Sequence, residues 1–255
     1  MQNKEKMYHI NLSKEDIKNA KYAILPGDPD RVEKIASLLD GPVFLTSNRE
    51  YKSYLGKIGK ENVLVISTGI GGPSTSICVE ELSLLGLKYL IRVGTCGGMQ
   101  LSVKAGDIVI ANAAIRAEGT SKEYLPIEYP AVADFDLVLA LKMAVKELQI
   151  KGHIGVVHCK DSFYGQHNPA KMPISYELKN KWQAWLKAGA LASEMETASL
   201  YTVANTRKIK AAAVLLTVWN QERERQHLDN KSCFDTERAI KVAILAIRKI
   251  INKEI

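Results

Sequence analysis

Cysteine is scarce and scattered in this chain of 255 residues: Cys78, Cys96, Cys159 and Cys233 stand far apart, and no two have CxxC spacing. That argues against a zinc cage and against a disulfide framework. No run of about 18 apolar residues occurs, so no membrane span is expected, and the amino terminus MQNKEKMYH lacks the apolar stretch of a secretory leader. A reducing cytoplasm is the expected compartment. Aromatic residues make up only 7%, and the 35 lysines and arginines are spread along the chain instead of blocked. Nucleic-acid binding asks for a basic stripe with stacking platforms, so the net charge of +7 carries little weight by itself. The Walker A pattern is missing as well.

What is present is an ordinary globular mix, 46% hydrophobic and 25% charged, long enough to bury a large core without cross-links. Short apolar runs alternate with amphipathic patterns. Tyr22 to Leu25, Val63 to Ile66, Tyr89 to Val93, Asp107 to Ala111, Ile154 to Val157 and Ala211 to Val218 read as strands covered on both faces. Helices are expected after Asp28-Pro29, from Ser74 to Leu85, over 134–149 from Asp134, and over 175–188 with Leu178, Trp182, Trp185 and Leu186 in one stripe. A last helix carries Ile240, Ala243, Ile244, Ile247 and Ile251 on one face. The stretches 117–133 and 160–174 are the least regular. No repeat or linker divides residues 1–255, and the expectation is a single α/β domain around a mixed, mostly parallel sheet flanked by helices.

Three strands run into glycine-bearing segments: Pro26-Gly27-Asp28-Pro29-Asp30-Arg31, Thr68-Gly69-Ile70-Gly71-Gly72-Pro73-Ser74 and Arg92-Val93-Gly94-Thr95-Cys96-Gly97-Gly98. Each reads as a tight turn at a strand's carboxyl end, where ligands of open α/β sheets gather. Glycine lets backbone approach a ligand, and a helix amino terminus offers free N–H groups to an anion. Arg31 falls in a first helical turn and Arg92 at an apolar strand end, where a guanidinium needs either an anion or an acidic side chain. The second segment approaches a dinucleotide fingerprint, but Ser74 replaces its third glycine and Arg92 stands where an acidic ribose ligand is required.

PGDPDRVEKIA, STGIGGPSTSICVEEL, RVGTCGG and SEMETASL resemble, in order and spacing, the signature segments of the nucleoside phosphorylase-I family. EYPAVADF and KDSFYGQH narrow the likeness to its uridine phosphorylase branch. The resemblance covers nearly the whole chain. It implies reversible phosphorolysis of uridine to uracil and ribose 1-phosphate, with inorganic phosphate as cosubstrate and no organic cofactor. It implies phosphate held by Gly27, Arg31, Arg92 and Thr95, with Arg49 reaching in from a neighbouring subunit. Ribose then meets Met195, Glu196 and Glu194, with His9 from the neighbour, and the pyrimidine meets Phe163 and Gln166. Assembly as a dimer at least, extending to a hexamer, follows from such a shared site. Glu50, Ile70 and Ser74 match positions where relatives bind a monovalent cation, potassium being the expected ion.

Local sequence offers competing readings. Ser193-Glu-Met-Glu196 fits a capping box, in which Glu196 merely caps a helix. His9 and Arg49 read alone as surface groups, Lys160 as a solvated loop lysine, Phe163 as core and Gln166 as a loop amide. Many uridine phosphorylases carry FYPGQER where this chain reads Phe163-Tyr-Gly-Gln166-His167-Asn168, and the second base-site arginine of the later loop is not evident around Thr217 to Glu222. Lys160 and His167, with Gln166, are therefore the expected replacements, acting with Arg92 and Glu196 as the catalytic set. Trp219 and Asn220 stand where purine enzymes of the family place an acidic aspartate. The alternatives are a purine nucleoside phosphorylase or nucleosidase of the same fold, and a non-catalytic nucleoside-binding protein.

Overall fold

Strand-forming runs with apolar residues on both faces need cover on both sides, and the computed structural model supplies it. It describes residues 6–254, so residues 1–5, part of the stretch read above for a leader, lie outside it. The first half runs β1 (Tyr22–Pro26), α1 (Asp30–Ala36), β2 (Asp40–Asn48), β3 (Tyr51–Ile58), β4 (Glu61–Ile66), α2 (Gly72–Leu85), β5 (Tyr89–Gly98) and β6 (Ile108–Ala117). Then come α3 (Thr120–Tyr124), β7 (Ala131–Val132), α4 (Phe135–Glu147), β8 (Gly152–Lys160), α5 (Phe163–His167) and α6 (Ser175–Lys187). The chain finishes with β9 (Ala192–Glu194), α7 (Thr197–Thr206), β10 (Lys210–Asn220), α8 (Gln221–Arg225) and α9 (Glu237–Ile251).

The strands form one mixed sheet in the order β10-β6-β8-β9-β5-β1-β4-β3-β2, with β7 on β6 and a further β10–β5 pairing. Its centre, β4-β1-β5-β10, is parallel, and β2 and β3 add an antiparallel hairpin at one side. Because period-2 alternation sends neighbours to opposite faces, Ala23 and Leu25 join a core with Val79, Leu82 and Leu200 of α2 and α7. Ile24 joins the opposite core, with Val32, Leu141, Ile240 and Ile247 of α1, α4 and α9. The expected stripe of α9 behaves as read: Ile240, Ala243 and Ile247 are fully buried, while Ile244 and Ile251 are partly so. Asp134 caps α4, its carboxylate accepting from the Leu137 N–H at 3.1 Å.

Two expectations change. The segment Gly94 to Gly98 is no turn: β5 continues straight through it, so Arg92 lies within a ten-residue strand and not at its end. The irregular stretches 117–133 and 160–174 hold α3, β7, α5 and a short 3-10 turn at Pro169–Lys171. The long β5 has a structural consequence. β1 pairs one of its edges as far as Pro26 opposite Val93, and β9 takes up pairing again at Gly97 opposite Ser193. Among the described residues no strand pairs Gly94–Cys96 on that edge, which leaves a narrow cleft in the sheet's pairing between β1 and β9. No helix of the described residues is long and apolar enough to cross a membrane.

Candidate active site

The cleft in the sheet is walled by the end of β1, the middle of β5 and the turn from β9 into α7. Arg92 is almost wholly buried. Its Nη2 donates to Glu196 Oε2 at 2.5 Å, and its Nε lies 3.8 Å from Glu194 Oε2. Room for the guanidinium comes from glycine on both sides. A Cβ at Gly94, two residues along the same face, would lie 3.2 Å from Arg92 Nε and 2.8 Å from Leu215 Cδ2. One at Gly27 would lie 3.6 Å from Nη1 and Nη2. Arg31, in the first turn of α1, reaches across to donate to the Val93 carbonyl at 3.2 Å. Burial holds the Arg31 guanidinium below its ordinary pKa, with Asp28 opposing that and the nearby Arg92 adding to it.

The capping-box reading of Ser193 to Glu196 is overturned. Glu194, not Glu196, closes the amino terminus of α7, accepting from the N–H groups of Glu196 at 2.9 Å and Thr197 at 3.0 Å. That frees Glu196, whose Oε1 accepts from the Gly71 N–H at 2.7 Å while Oε2 takes Arg92. Desolvation, then repulsion from Glu196, raises the Glu194 pKa. Met195 is half-buried between these two carboxylates, and Thr95 is half-buried on β5.

A second polar cluster adjoins the first. Lys160, at the end of β8, is buried, so it is not the solvated loop lysine that local sequence allows. It donates to Ser193 Oγ at 2.8 Å and to the Glu194 carbonyl at 3.4 Å, and among the described residues no carboxylate lies within ion-pair distance of it. Burial lowers its pKa, with Glu194 opposing. Ser193 Oγ donates to Gln166 Oε1 at 2.7 Å, and Gln166 Nε2 donates to Gln221 Oε1 at 3.1 Å. Lys160, Gln166 and Gln221 line a cavity of about 930 Å³ that runs on between residues 113–131 and α6. Phe163 is exposed and not core; its ring sits 4.2 Å from that of His167, which in turn faces Trp219 at 5.8 Å. Burial keeps His167 below the ordinary histidine pKa, aided by Lys160.

The remaining expected residues stand apart. His9 is bound to Glu81, its Nδ1 at 2.7 Å from Oε1, and exposed Arg49 lies 5.9 Å from the Tyr8 ring. Neither makes a hydrogen bond or ion pair with the Arg92 cluster. Ser74 Oγ meets both Glu50 Oε1, at 2.8 Å, and the Thr68 carbonyl, whereas the Ile70 side chain points into solvent. Asn220 is spent structurally, accepting from the Glu222 and Arg223 N–H groups and donating to the Gln100 and Val103 carbonyls. Arg223 is tied to the Asp229 and Leu101 carbonyls. Ser193, Gln221 and Gly71 are site residues that the sequence reading did not assign. Ser193 lay inside a segment that fits a cap, and nothing local distinguishes Gln221.

A buried arginine shared between two carboxylates, beside an amide–ammonium pocket on a cleft-bearing α/β sheet, defines a binder of a polar, partly anionic small molecule. Comparison with known proteins agrees, and the chain belongs to the phosphorylase superfamily, the match spanning residues 21–252. It is 51% identical over 247 residues to uridine phosphorylase of Treponema pallidum (strain Nichols), covering 97% of this chain and 95% of that one. It is 39% identical over 253 residues to uridine phosphorylase of Escherichia coli (strain K12), with 97% and 99% covered. Guanosine phosphorylase of Halorubrum lacusprofundi is 37% identical over 232 residues, with 88% and 92% covered. The expected membership of the nucleoside phosphorylase-I family is thereby borne out.

Proposed function

We propose that this chain is a uridine phosphorylase of pyrimidine salvage in the cytoplasm, acting as one nucleoside phosphorylase domain on uridine and inorganic phosphate without an organic cofactor. One observation carries the reading: Lys160 donates to the Glu194 carbonyl, while the Glu194 carboxylate lies beside Arg92, so the Arg31–Arg92–Glu196 cleft and the Lys160–Gln166 pocket are neighbours, with room between them assigned to the sugar. Phosphate lies against Gly27, Arg31, Arg92 and Thr95, and Arg49 of a second copy completes its cradle. Glu196, with Met195 and Glu194 beside it, receives the ribose hydroxyls, and His9 of the second copy receives the far end of the sugar.

In the reaction a phosphate oxygen forms a bond to the anomeric carbon as the bond to the pyrimidine nitrogen breaks, its electron pair leaving with the base. Holding phosphate beneath that carbon supplies proximity. Glu196 favours the cationic sugar, and the Lys160 ammonium with the Gln166 amide favours the departing anion, His167 and Phe163 flanking the ring. Lys160 suits that work because, among the described residues, no carboxylate pairs with it directly. The Asn220 amide, fully occupied and without an acidic proton, gives a purine base no general acid.

The second copy makes a dimer the minimal unit, and a trimer of such dimers is the proposed assembly. The close oxygens of Glu50, Ser74 and Thr68 fit a monovalent cation such as potassium, with Ile70 beside them, and such an ion would tie the hairpin tip to the start of α2 where copies meet.

Uridine, thymidine, inosine and methylthioadenosine, each with and without phosphate, test the reading. Uridine should be cleaved fastest, and only with phosphate; preferred inosine cleavage, or cleavage indifferent to phosphate, overturns it. Lys160→Ala should lower kcat for uridine by about 10²-fold, the usual loss on deleting one donor to developing charge. Near-parental turnover in both Lys160→Ala and His167→Ala would remove these two residues from the mechanism.

A further inference from the structure

A carboxamide presents an oxygen and a nitrogen of nearly equal shape, so a lone glutamine reads a base ambiguously. Turning it over exchanges acceptor for donor. Gln166 is not free in this way. Its Oε1 accepts from Ser193 Oγ at 2.7 Å and its Nε2 donates to Gln221 Oε1 at 3.1 Å. Ser193 Oγ has one hydrogen and two lone pairs. Lys160 Nζ donates into one lone pair at 2.8 Å, and His158 Nδ1 lies 3.3 Å away beside the other. Of the two acceptors within reach of the hydroxyl hydrogen, Gln166 Oε1 at 2.7 Å is nearer than His158 Nδ1 at 3.3 Å, whose own role depends on its tautomer, and the hydrogen goes to the amide. The ammonium, a donor only, turns the serine hydroxyl away from itself, and the serine dictates which way round the amide sits.

The far end is anchored through its backbone. Gln221 opens α8, directly after Asn220, whose side chain caps that helix and is bonded to the Gln100 and Val103 carbonyls. Both Gln166 and Gln221 are buried, so with Gln221 standing as it does an inverted Gln166 amide would set Oε1 against Oε1 at one end and take the nearer acceptor from the serine hydroxyl at the other.

We propose that Ser193, oriented by Lys160, is a specificity-determining positioning residue that locks the Gln166 amide in one sense, so that the pocket accepts an imide base such as uracil and rejects cytosine. The inference rests on the uridine phosphorylase reading and adds to it the origin of base choice. The locked amide keeps one N–H and one oxygen lone pair for the base, side by side. Uracil offers the complement, a carbonyl oxygen next to N3–H. Cytosine offers an N3 lone pair to the same oxygen, which repels it. Discrimination through buried polar groups that cannot re-pair is the kind that reaches large ratios.

The test is the ratio of kcat/KM for cytidine to that for uridine, a quantity independent of how much of a preparation is folded. In Ser193→Ala the ratio should rise at least about tenfold, one hydrogen bond's worth of selectivity. Gln221→Leu should raise it as well, whereas Gln221→Glu, which retains an acceptor for Nε2, should stay within about twofold of the parent. A ratio unchanged in both Ser193→Ala and Gln221→Leu overturns the lock while leaving uridine phosphorolysis by the parent intact. Calorimetric titration of the parent and Ser193→Ala with free uracil and free cytosine makes the same comparison without turnover. It decides the lock even if the parent fails to cleave uridine, the result that overturns the function reading alone: a narrower uracil preference in Ser193→Ala supports the lock, and an unchanged one sinks it.

Discussion

Ion pairing and anion binding compete for one guanidinium at Arg92. Glu196 holds Nη2, while Nε is buried with no hydrogen-bond partner and Nη1 has only a 3.5 Å contact to Thr68 Oγ1. A buried N–H left unpaired costs about 1–3 kcal/mol, so the proposed phosphate would relieve a deficit already built into the cleft. The same logic governs the neutral side of the pocket. His158 sits among Trp182, Trp185, Ser193 and Lys160, and burial, then the Lys160 charge, depress its pKa to about 4. A histidine depressed in the folded state is protonated first in the unfolded one. Its penalty is absent above the ordinary value of 6.5 and grows as pH falls toward 4. His158→Gln removes that penalty. The variant should be less stable than the parent at pH 7 through the lost contact to Ser193. Between pH 7 and pH 5 the difference should move in the variant's favour by about 2 kcal/mol. Urea unfolding at the two pH values reads this directly, and a pH-independent difference would mean that His158 is not held neutral by its surroundings.

The elements around the cleft are set by close approach. α2 begins at Gly72 against α3 and α7, where a Cβ would lie 2.6 Å from both Ser199 Oγ and Thr120 Oγ1. The preceding Gly71, at φ +87°, turns its N–H to Glu196. Gly72→Ala should therefore cost about 2 kcal/mol of stability through overpacking. It should also lower activity more than Gly86→Ala, where nothing stands within 4 Å and the only strain is a left-handed φ of +97°. Thermal melts and uridine turnover of the two variants separate packing from backbone strain. Much of this layout was legible from sequence, since β1, β4, β5, β6, β8 and β10 are runs of consecutive apolar residues and α2, α4, α6 and α9 keep helical periodicity. What escaped has physical causes. β2 is an exposed edge that opens on Gly41-Pro42, and its apolar run is only Val43-Phe44-Leu45 before polar residues resume. β9 has only three residues, held by partners remote in sequence. Ser193 satisfied a local capping rule that tertiary contacts override, because Lys160 and Gln166 claim its hydroxyl before α7 can.

At the scale of the molecule the cleft looks unfinished within one chain. Of the three arginines expected around phosphate, Arg31 and Arg92 meet at β5, while Arg49 stands exposed at the tip of the β2–β3 hairpin with φ +54°. It is accompanied there by exposed Tyr8, with exposed Ile70 on the glycine segment before α2. His9 is aimed by Glu81, which accepts from the backbone N–H groups of His9 and Ile10 as well as contacting the ring. On the proposed reading these two groups, outside their own chain's cleft, serve a second copy, and a two-fold dimer would let each copy complete the other's site. That arrangement has a numerical signature. Arg49→Ala and Glu196→Ala should each lose at least about 10²-fold in uridine phosphorolysis when expressed alone. Co-expressed in equal amounts, half of the dimers are mixed, and each mixed dimer carries one site with both lesions and one with neither. Activity should return to about a quarter of the parental value per chain. If co-expression restores nothing while mixed dimers are recovered by differential tagging, Arg49 serves its own chain, and the cleft must then be completed from within.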